Sequence, residues 1–229
     1  AGYLFSQIPY AWSFLLGGLS MFGLAWLGER IFRVACPQLK THLPLAGLFL
    51  ATEWHLAWAG ASGMETALQA ALIAACFLLI FAASNTQSPR LFAAAGAVCG
   101  LSVWVRPDGI TLLGPVLLCA FLIGKPFYRR MFTTGLSILG FTTFFIPYLY
   151  FNQQIAGTYW PNTFYAKQAE YAVLLQTPLT ERLGAILSLP MVGAGLLLLP
   201  GVLYFIWLAG RERRITWVSM FLWWAGYSL

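Results

Sequence analysis

Charged side chains are scarce in this chain. Lysine, arginine, aspartate and glutamate make up 9% of the 229 residues, whereas 60% are hydrophobic and the mean hydropathy is +0.75. Soluble domains carry about 25% charged residues, and a soluble fold could not cover this much apolar surface. The scarcity of charge therefore excludes a soluble globular protein and predicts that lipid surrounds most of the chain.

Cysteine is also sparse, and its pattern carries no metal or redox signature. The chain has four cysteines, none in a CxxC pair, and three of them lie within apolar runs, where small buried side chains are the favoured interpretation. P-loop, GxGxxG, HExxH and GxSxG motifs are absent, and the basic residues lie in short clusters between apolar runs, as loop charges do. We predict no cofactor, no metal site and no nucleic-acid partner, and leave a divalent-metal requirement open.

Hydrophobic runs make up most of the chain, and membrane lipid is their predicted environment. Eight can be recognised, at about 8–27, 43–59, 64–83, 91–105, 110–124, 131–151, 185–210 and 215–229. The third has about 20 residues, enough to cross a core of ~30 Å at ~1.5 Å per residue. The predicted fold class is all-α: a single membrane domain spanning 1–229, with about eight transmembrane helices and a polar outer loop at 152–184. Because both ends look cut, we expect a fragment of a longer polytopic protein.

The distribution of positive charge predicts an orientation. With the loop after the first run on the cytoplasmic side, ten of the 13 basic residues fall on that side. The opposite side receives Arg106, Lys167 and Arg182. The 152–184 loop should therefore face the extracytoplasmic side of a multi-pass protein, in what we expect to be a bacterial plasma membrane.

Two polar pairs have structural interpretations beside functional ones. Glu53 and His55 lie near the outer end of the second run, where residues two apart in a helix point in different directions, and an interfacial position in an aromatic belt is the plainer interpretation. Ser62 and Glu65 fit a capping box at the start of the third run. Alternatively, Glu65 faces the outer cavity and binds a hydroxyl group or a cation.

The Arg106–Gly109 stretch has the composition of a tight turn. It connects the fourth and fifth runs, which have only about 15 residues each, so we expect the turn to lie below the membrane surface. Arg106 either pairs with Asp108 or offers its planar donor fork to a phosphate.

The polar loop contains a predicted short helix. Asn162 and Thr163 could cap it, and it would run on through Tyr171. It either lies on the membrane surface as an amphipathic helix, or it presents Lys167 to an anionic lipid headgroup while neighbouring aromatic rings stack on a sugar.

Three motifs, SGMETAL at 62–68, VRPDG at 105–109 and PNTFYAK at 161–167, resemble those of bacterial GT-C glycosyltransferases. These polytopic enzymes use polyprenyl-phosphate-linked sugars and include protein-mannosyltransferase-like, aminoarabinose-transferase-like and arabinofuranosyltransferase-like proteins. The likeness covers about Leu45 to Gly210. It implies inverting transfer of a sugar from a polyprenyl-phosphate donor to an extracytoplasmic acceptor, in cell-envelope glycan or glycoprotein synthesis.

The resemblance also implies roles for particular residues. In that family the catalytic base is an acidic residue in the first outer loop; this chain lacks that loop, and we expect the base upstream of Ala1. Stabilising a phosphate leaving group needs fixed cations, which makes Arg106, Lys167 and Arg182 the predicted phosphate ligands. Orienting and sugar- or acceptor-binding roles are predicted for Glu65, Asp108, Asn162, Tyr159, Trp160 and Tyr165.

Two other classes of function remain open. A transporter or lipid flippase would show broken helices in two corresponding halves, with polar residues near mid-membrane. Here the polar residues cluster at the outer ends of the runs, which favours surface chemistry. A non-catalytic membrane subunit of an envelope-assembly complex is the third class.

Overall fold

The part of the chain that the structure describes is built from helices, and three of them match predicted hydrophobic runs. The computed structural model describes residues 9–37, 42–123, 126–172, 176–188, 200–201, 203–204, 206–207, 210–211 and 215–228. The elements are α1 (Pro9–Ala35), α2 (Leu45–Thr52), α3 (Trp54–Ala61), α4 (Thr66–Thr86), α5 (Pro89–Val105), a 3-10 helix (Pro107–Leu112), α6 (Leu113–Leu122), α7 (Phe127–Ala156), α8 (Asn162–Tyr171), α9 (Leu179–Ser188) and α10 (Ile215–Ser228). Every element among these residues is helical, which confirms the all-α prediction.

Among the residues that the structure describes, three helices, α1, α4 and α7, are long and apolar enough to cross a membrane. The 21 residues of α4 correspond to about 31 Å at ~1.5 Å per residue, close to the thickness of a bilayer core. These helices match the first, third and sixth predicted runs. The other predicted crossings stay predictions, and most of the run at 185–210 lies outside the described residues.

The chain divides into two compact units, Ala1–Phe145 and Ile146–Leu229. In the first unit, α1 packs against α2, α3 and α4, and α4 packs against α5. The side chains with the least exposure come from α4, α5, the 3-10 helix and α6, so the core lies there. Its fully buried members include Phe92, Ile80, Leu112, Val103, Val116, Cys76, Cys99 and Cys119. The three cysteines of the apolar runs are thus buried and form no disulfide bond, as predicted.

The second predicted run is not one helix. It forms α2 and α3, eight residues each, and the chain breaks between them at Glu53, whose ψ of 125° is extended. The two short helices together run antiparallel to α1: Leu50 of α2 touches Gly28, and Gly60 of α3 touches Gly17. Gly17 has no room for a Cβ because the Gly60 carbonyl lies against it, and such close backbone approach is typical of helix pairs in membranes.

A buried carboxylate joins α1 to α2. Glu29, which is 7% exposed, accepts hydrogen bonds from the backbone N–H groups of Ala46 and Gly47 at 3.2 and 3.3 Å, and its other oxygen binds Nε of Arg33 at 2.8 Å. The first N–H groups of a helix have no partner within the helix and carry partial positive charge. Glu29 therefore supplies from a neighbouring helix the cap that α2 lacks in its own sequence.

The α4–α5 hairpin sets the position of the Arg106 turn. Gln87 ends α4 in the left-handed conformation (φ 53°), and Pro89 begins α5 two residues later. Because this connection is so short, α4 and α5 are antiparallel neighbours. The beginning of α4 and the end of α5 therefore lie at the same end of the hairpin.

Small residues hold α5 against the first part of α7. Gly96 and Gly100 form a GxxxG pair on α5, and a Cβ at either position would collide with backbone of α7, at Ser137 and Phe141 respectively. Trp104 adds a hydrogen bond from its indole N–H to the Phe144 carbonyl at 2.9 Å. This contact has the small-residue character of membrane helix pairs.

In the second unit, the described residues of the predicted loop at 152–184 include two helices. The end of α7 reaches Ala156, and α8 and α9 occupy much of the remainder. The predicted helix through Tyr171 is confirmed as α8. Capping by Asn162 is wrong, because Asn162 is itself the first helical residue and Pro161 occupies the cap position without a side-chain hydrogen bond. The Thr163 side chain lies outside the described part of the structure.

Candidate functional site

The Arg106 turn is shaped by the proline that follows it. Arg106 ends α5 in an extended conformation (φ −146°, ψ 132°), and Pro107 opens the 3-10 helix. A residue before proline is pushed out of the helical region by steric clash, so the Arg-Pro sequence itself ends α5. The Gly109 N–H then donates to the Arg106 carbonyl at 2.9 Å and closes the turn.

The turn folds back onto α5 at Gly109. A Cβ at this position would collide with Oγ of Ser102 and lie 2.8 Å from its carbonyl carbon. The thiol of Cys99 lies 3.6 Å from the Gly109 carbonyl oxygen, as its hydrogen-bond donor. Ser102 and Cys99 are fully buried, so the turn is fixed to a rigid part of the helix.

Arg106 and Asp108 form an ion pair across this turn. Nε of Arg106 lies 3.3 Å from Oδ1 of Asp108, and the two side chains are 29% and 31% exposed. Pairs this exposed contribute only about 0–1 kcal/mol to stability. The structure thus contains the Arg106–Asp108 pair, the first of the two alternatives considered for Arg106.

The capping-box prediction for Ser62 and Glu65 is wrong. Ser62 ends α3, and its hydroxyl donates to the Ala59 carbonyl at 3.2 Å. Gly63 then reverses the chain with a left-handed φ of 71°, which separates Ser62 from the start of α4 at Thr66. The Glu65 side chain makes no cap hydrogen bond and is exposed.

Glu65 and the Arg106 turn lie at the same end of the α4–α5 hairpin. Glu65 immediately precedes α4, Arg106 immediately follows α5, and the 3-10 helix after Arg106 also packs against α4. The first unit thus presents one exposed carboxylate and one oriented arginine–aspartate pair at one end of its central hairpin.

The second unit carries a cluster of aromatic rings. Trp160 stacks on Phe164 with centroids 5.2 Å apart and planes 25° apart, and Tyr148 meets Trp160 edge-on at 6.2 Å. Tyr165 lies edge-on to Phe164 at 5.7 Å. The predicted residues Trp160 and Tyr165 are therefore joined through Phe164, which sequence reasoning did not select although it lies four residues after Trp160.

The remaining predicted residues of this unit belong to α8, to α9 and to the segment that precedes α8. Tyr159 is 61% exposed, and Asn162 is the exposed first residue of α8. Arg182 is half-buried in the first turn of α9. The backbone of Lys167 belongs to α8, but its side chain lies outside the described part of the structure.

Comparison with known proteins adds no assignment. No family model matches the chain, and neither a curated protein nor a solved structure shows significant similarity to it. Within the described ranges, no group of three or more histidine, cysteine, aspartate or glutamate side chains is placed to hold a metal ion.

Sequence reasoning misjudged Glu53 and His55. Nδ1 of His55 lies 2.9 Å from Oε1 of Glu53, although residues two apart in a helix do not face each other. The contact forms because Glu53 stands outside both helices and turns its side chain over the first turn of α3. The contact could have been predicted only by recognising that the second run is interrupted at Glu53.

Proposed function

We propose that this chain is part of a membrane glycosyltransferase that transfers a sugar from a polyprenyl-phosphate donor to an extracytoplasmic acceptor. The observation that carries the proposal is the Arg106–Asp108 pair, an oriented guanidinium fixed at one end of an apolar helical hairpin. It occurs within one of the three motifs that resemble the GT-C enzymes.

Cleavage of a polyprenyl-phosphate sugar requires a cation beside the phosphate. Cleavage of the sugar–phosphate bond leaves negative charge on the polyprenyl phosphate, and a fixed cation at that position lowers the barrier. Arginine suits this role because its planar fork can donate two parallel hydrogen bonds to phosphate oxygens. The acceptor hydroxyl supplies the attacking oxygen, and a general base takes its proton as the sugar–phosphate bond breaks.

The aromatic cluster supplies the sugar-binding part of the proposal. Aromatic faces suit the apolar faces of sugar rings, and Trp160 and Tyr165 are joined in one cluster. The motif resemblance alone leads us to propose Lys167 and Arg182 as further phosphate ligands, and Tyr159, Asn162 and Glu65 as contacts of the sugar or the acceptor. The eight crossings and the extracytoplasmic location of these groups belong to the same proposal.

Turnover by the full-length protein tests the Arg106 assignment. Purified protein in lipid is mixed with a polyprenyl-phosphate sugar, and release of polyprenyl phosphate is measured. Arg106→Gln should slow release roughly 10²–10³-fold, the usual cost of losing a charge-stabilising donor, and Lys167→Ala should also slow it. Arg90→Gln is the matched control, because Arg90 is exposed near the opposite end of α5.

The possible results separate three conclusions. Unchanged release in both Arg106→Gln and Lys167→Ala would contradict the site. Equal loss in Arg90→Gln would show a general effect of charge rather than a local one. No turnover of any polyprenyl-phosphate sugar by the wild-type protein would contradict the enzyme proposal itself.

The break at Glu53 favours a second candidate function, a transporter or lipid flippase. Such proteins bind their substrates at discontinuous helices that carry polar groups, and α2 and α3 form one such interrupted pair. Movement of a labelled polyprenyl-phosphate sugar across liposomes, without loss of the sugar, would support this candidate over the transferase.

A further inference from the structure

The second predicted run contains a polar break far from its ends. Leu50 touches Gly28 of α1 before the break, and Gly60 touches Gly17 after it. Glu53 lies between these two contacts along the chain, so it is level with the part of α1 between Gly17 and Gly28.

That part of α1 has the surface of a lipid-facing helix. Leu19, Phe22 and Trp26 lie there and are 60%, 74% and 51% exposed. Because α1 is long and apolar enough to cross a membrane, the Glu53–His55 pair lies within the thickness of the bilayer when α1 crosses it. Ionisable groups at such depth are rare and generally face a wet cavity or another polar group.

Each oxygen of the Glu53 carboxylate has a partner within 2.9 Å. Oε2 of Glu53 accepts the Leu56 backbone N–H at 2.9 Å, while Oε1 lies 2.9 Å from Nδ1 of His55. An ionised carboxylate can only accept hydrogen bonds, so in the neutral ring Nδ1 carries the hydrogen and Nε2 keeps its lone pair. The His55 side chain is 78% exposed, which leaves Nε2 as a base directed away from its carboxylate partner.

Hydrocarbon cannot satisfy this lone pair. A polar group without a hydrogen-bond partner in an apolar medium costs several kcal/mol, and non-helical backbone at membrane depth is tolerated only in protein or beside water. Water at the break would satisfy the imidazole.

We propose that Glu53 and His55 form a proton-binding site that opens to water within the membrane-spanning part of the protein. A proton from water adds to the Nε2 lone pair and produces an imidazolium, and the Glu53 carboxylate stays ionised and balances its charge. Release returns the same proton to water, so no other reactant is required. This site does not depend on the proposed transferase activity.

The charged groups of the neighbouring elements are few. The elements packed against α2 and α3 are α1 and α4. The charged residues of these elements are Glu29, Arg30 and Arg33 in α1 and Glu65 at the start of α4. Glu29 is engaged by Arg33 and the start of α2, and the Arg30 guanidinium lies 5.2 Å from the Trp26 ring centroid.

Cysteine accessibility tests whether the site is wet. His55→Cys, Leu48→Cys and Glu65→Cys are made in the full-length protein with Cys36→Ser, reconstituted in liposomes and treated with a charged thiosulfonate. Leu48 is an exposed apolar residue of α2, and Glu65 is the polar reference. We expect His55→Cys to react within about tenfold of Glu65→Cys and at least about 100-fold faster than Leu48→Cys. Reaction as slow as that of Leu48→Cys would overturn the proposal.

Nitrogen NMR of the histidine rings tests the pairing and the binding in the same liposomes. The wild-type His55 ring should carry its hydrogen on Nδ1 when neutral, and acidification should convert it to imidazolium. Glu53→Leu should move the hydrogen to Nε2, whereas Glu65→Leu should leave it on Nδ1. An unchanged tautomer in Glu53→Leu, or a wild-type ring that stays neutral while His42 becomes charged, would contradict the assignment.

Discussion

Gly109 packs directly on Ser102, without room for a Cβ between them. Through this contact the turn that carries Arg106 and Asp108 rests on the buried face of α5. The position of the ion pair therefore depends on a residue that has no side chain.

Gly109→Ala should displace the Arg106 turn. The added methyl group would collide with the buried Ser102, and overpacking of this kind costs about 1–3 kcal/mol. Gly114→Ala is the matched control, because nothing lies within 4 Å of a Cβ at Gly114. Thermal unfolding in detergent should show a lower melting temperature for Gly109→Ala alone, and equal behaviour of the two variants would refute the close contact.

Glu29→Gln should loosen the start of α2. The substitution removes the negative charge that faces both Arg33 and the first N–H groups of α2. We expect a melting temperature lower by several degrees and faster hydrogen exchange at Ala46 and Gly47. Glu65→Gln, at an exposed carboxylate without a cap hydrogen bond, should leave both quantities unchanged; if it has the same effect, charge alone explains the result.

Gly96→Ala should separate α5 from α7. A Cβ at Gly96 would lie 3.0 Å from the carbonyl carbon of Ser137, whereas a Cβ at Gly135 would have nothing within 4 Å. The expected loss is about 1–3 kcal/mol of unfolding free energy, measured by denaturant titration in mixed micelles. Gly135→Ala should be neutral or slightly stabilising, and a neutral Gly96→Ala would argue against this helix contact.

Phe164→Ala should remove the stacking contact between Phe164 and Trp160. Stacked aromatic pairs contribute about 0.5–1.5 kcal/mol beyond their buried area, and the two centroids are 5.2 Å apart. Faster hydrogen exchange in the first turn of α8 would report the loss. Tyr159→Ala, at an exposed neighbouring ring, should leave that exchange rate almost unchanged.

The sequence predicted the helices well because apolar runs of membrane length leave few alternatives. α1, α4 and α7 follow their runs, and the Arg-Pro sequence at the end of α5 placed its turn correctly. The Arg106–Asp108 pair could be predicted because both residues belong to one short turn.

Features that depend on where a helix stops could not be predicted from the runs. Glu53 reaches His55 only because the second run is interrupted, and Ser62 fails as a cap because α3 extends to Ala61. The stack of Trp160 on Phe164 likewise depends on where α8 begins. In each case the apolar run determines that a helix forms, whereas a local hydrogen bond or turn determines the residue at which the helix begins or ends.

The cap that Glu29 provides has a consequence for biosynthesis. α2 and α3 have eight residues each, and a helix needs about 20 to span the bilayer by itself. Neither can therefore partition into lipid as an independent segment, and α2 has its N-terminal hydrogen-bond partner only where Glu29 is already in place. Since the chain emerges from the ribosome N-terminus first, Glu29 of α1 is synthesised before the Ala46 and Gly47 N–H groups that it binds.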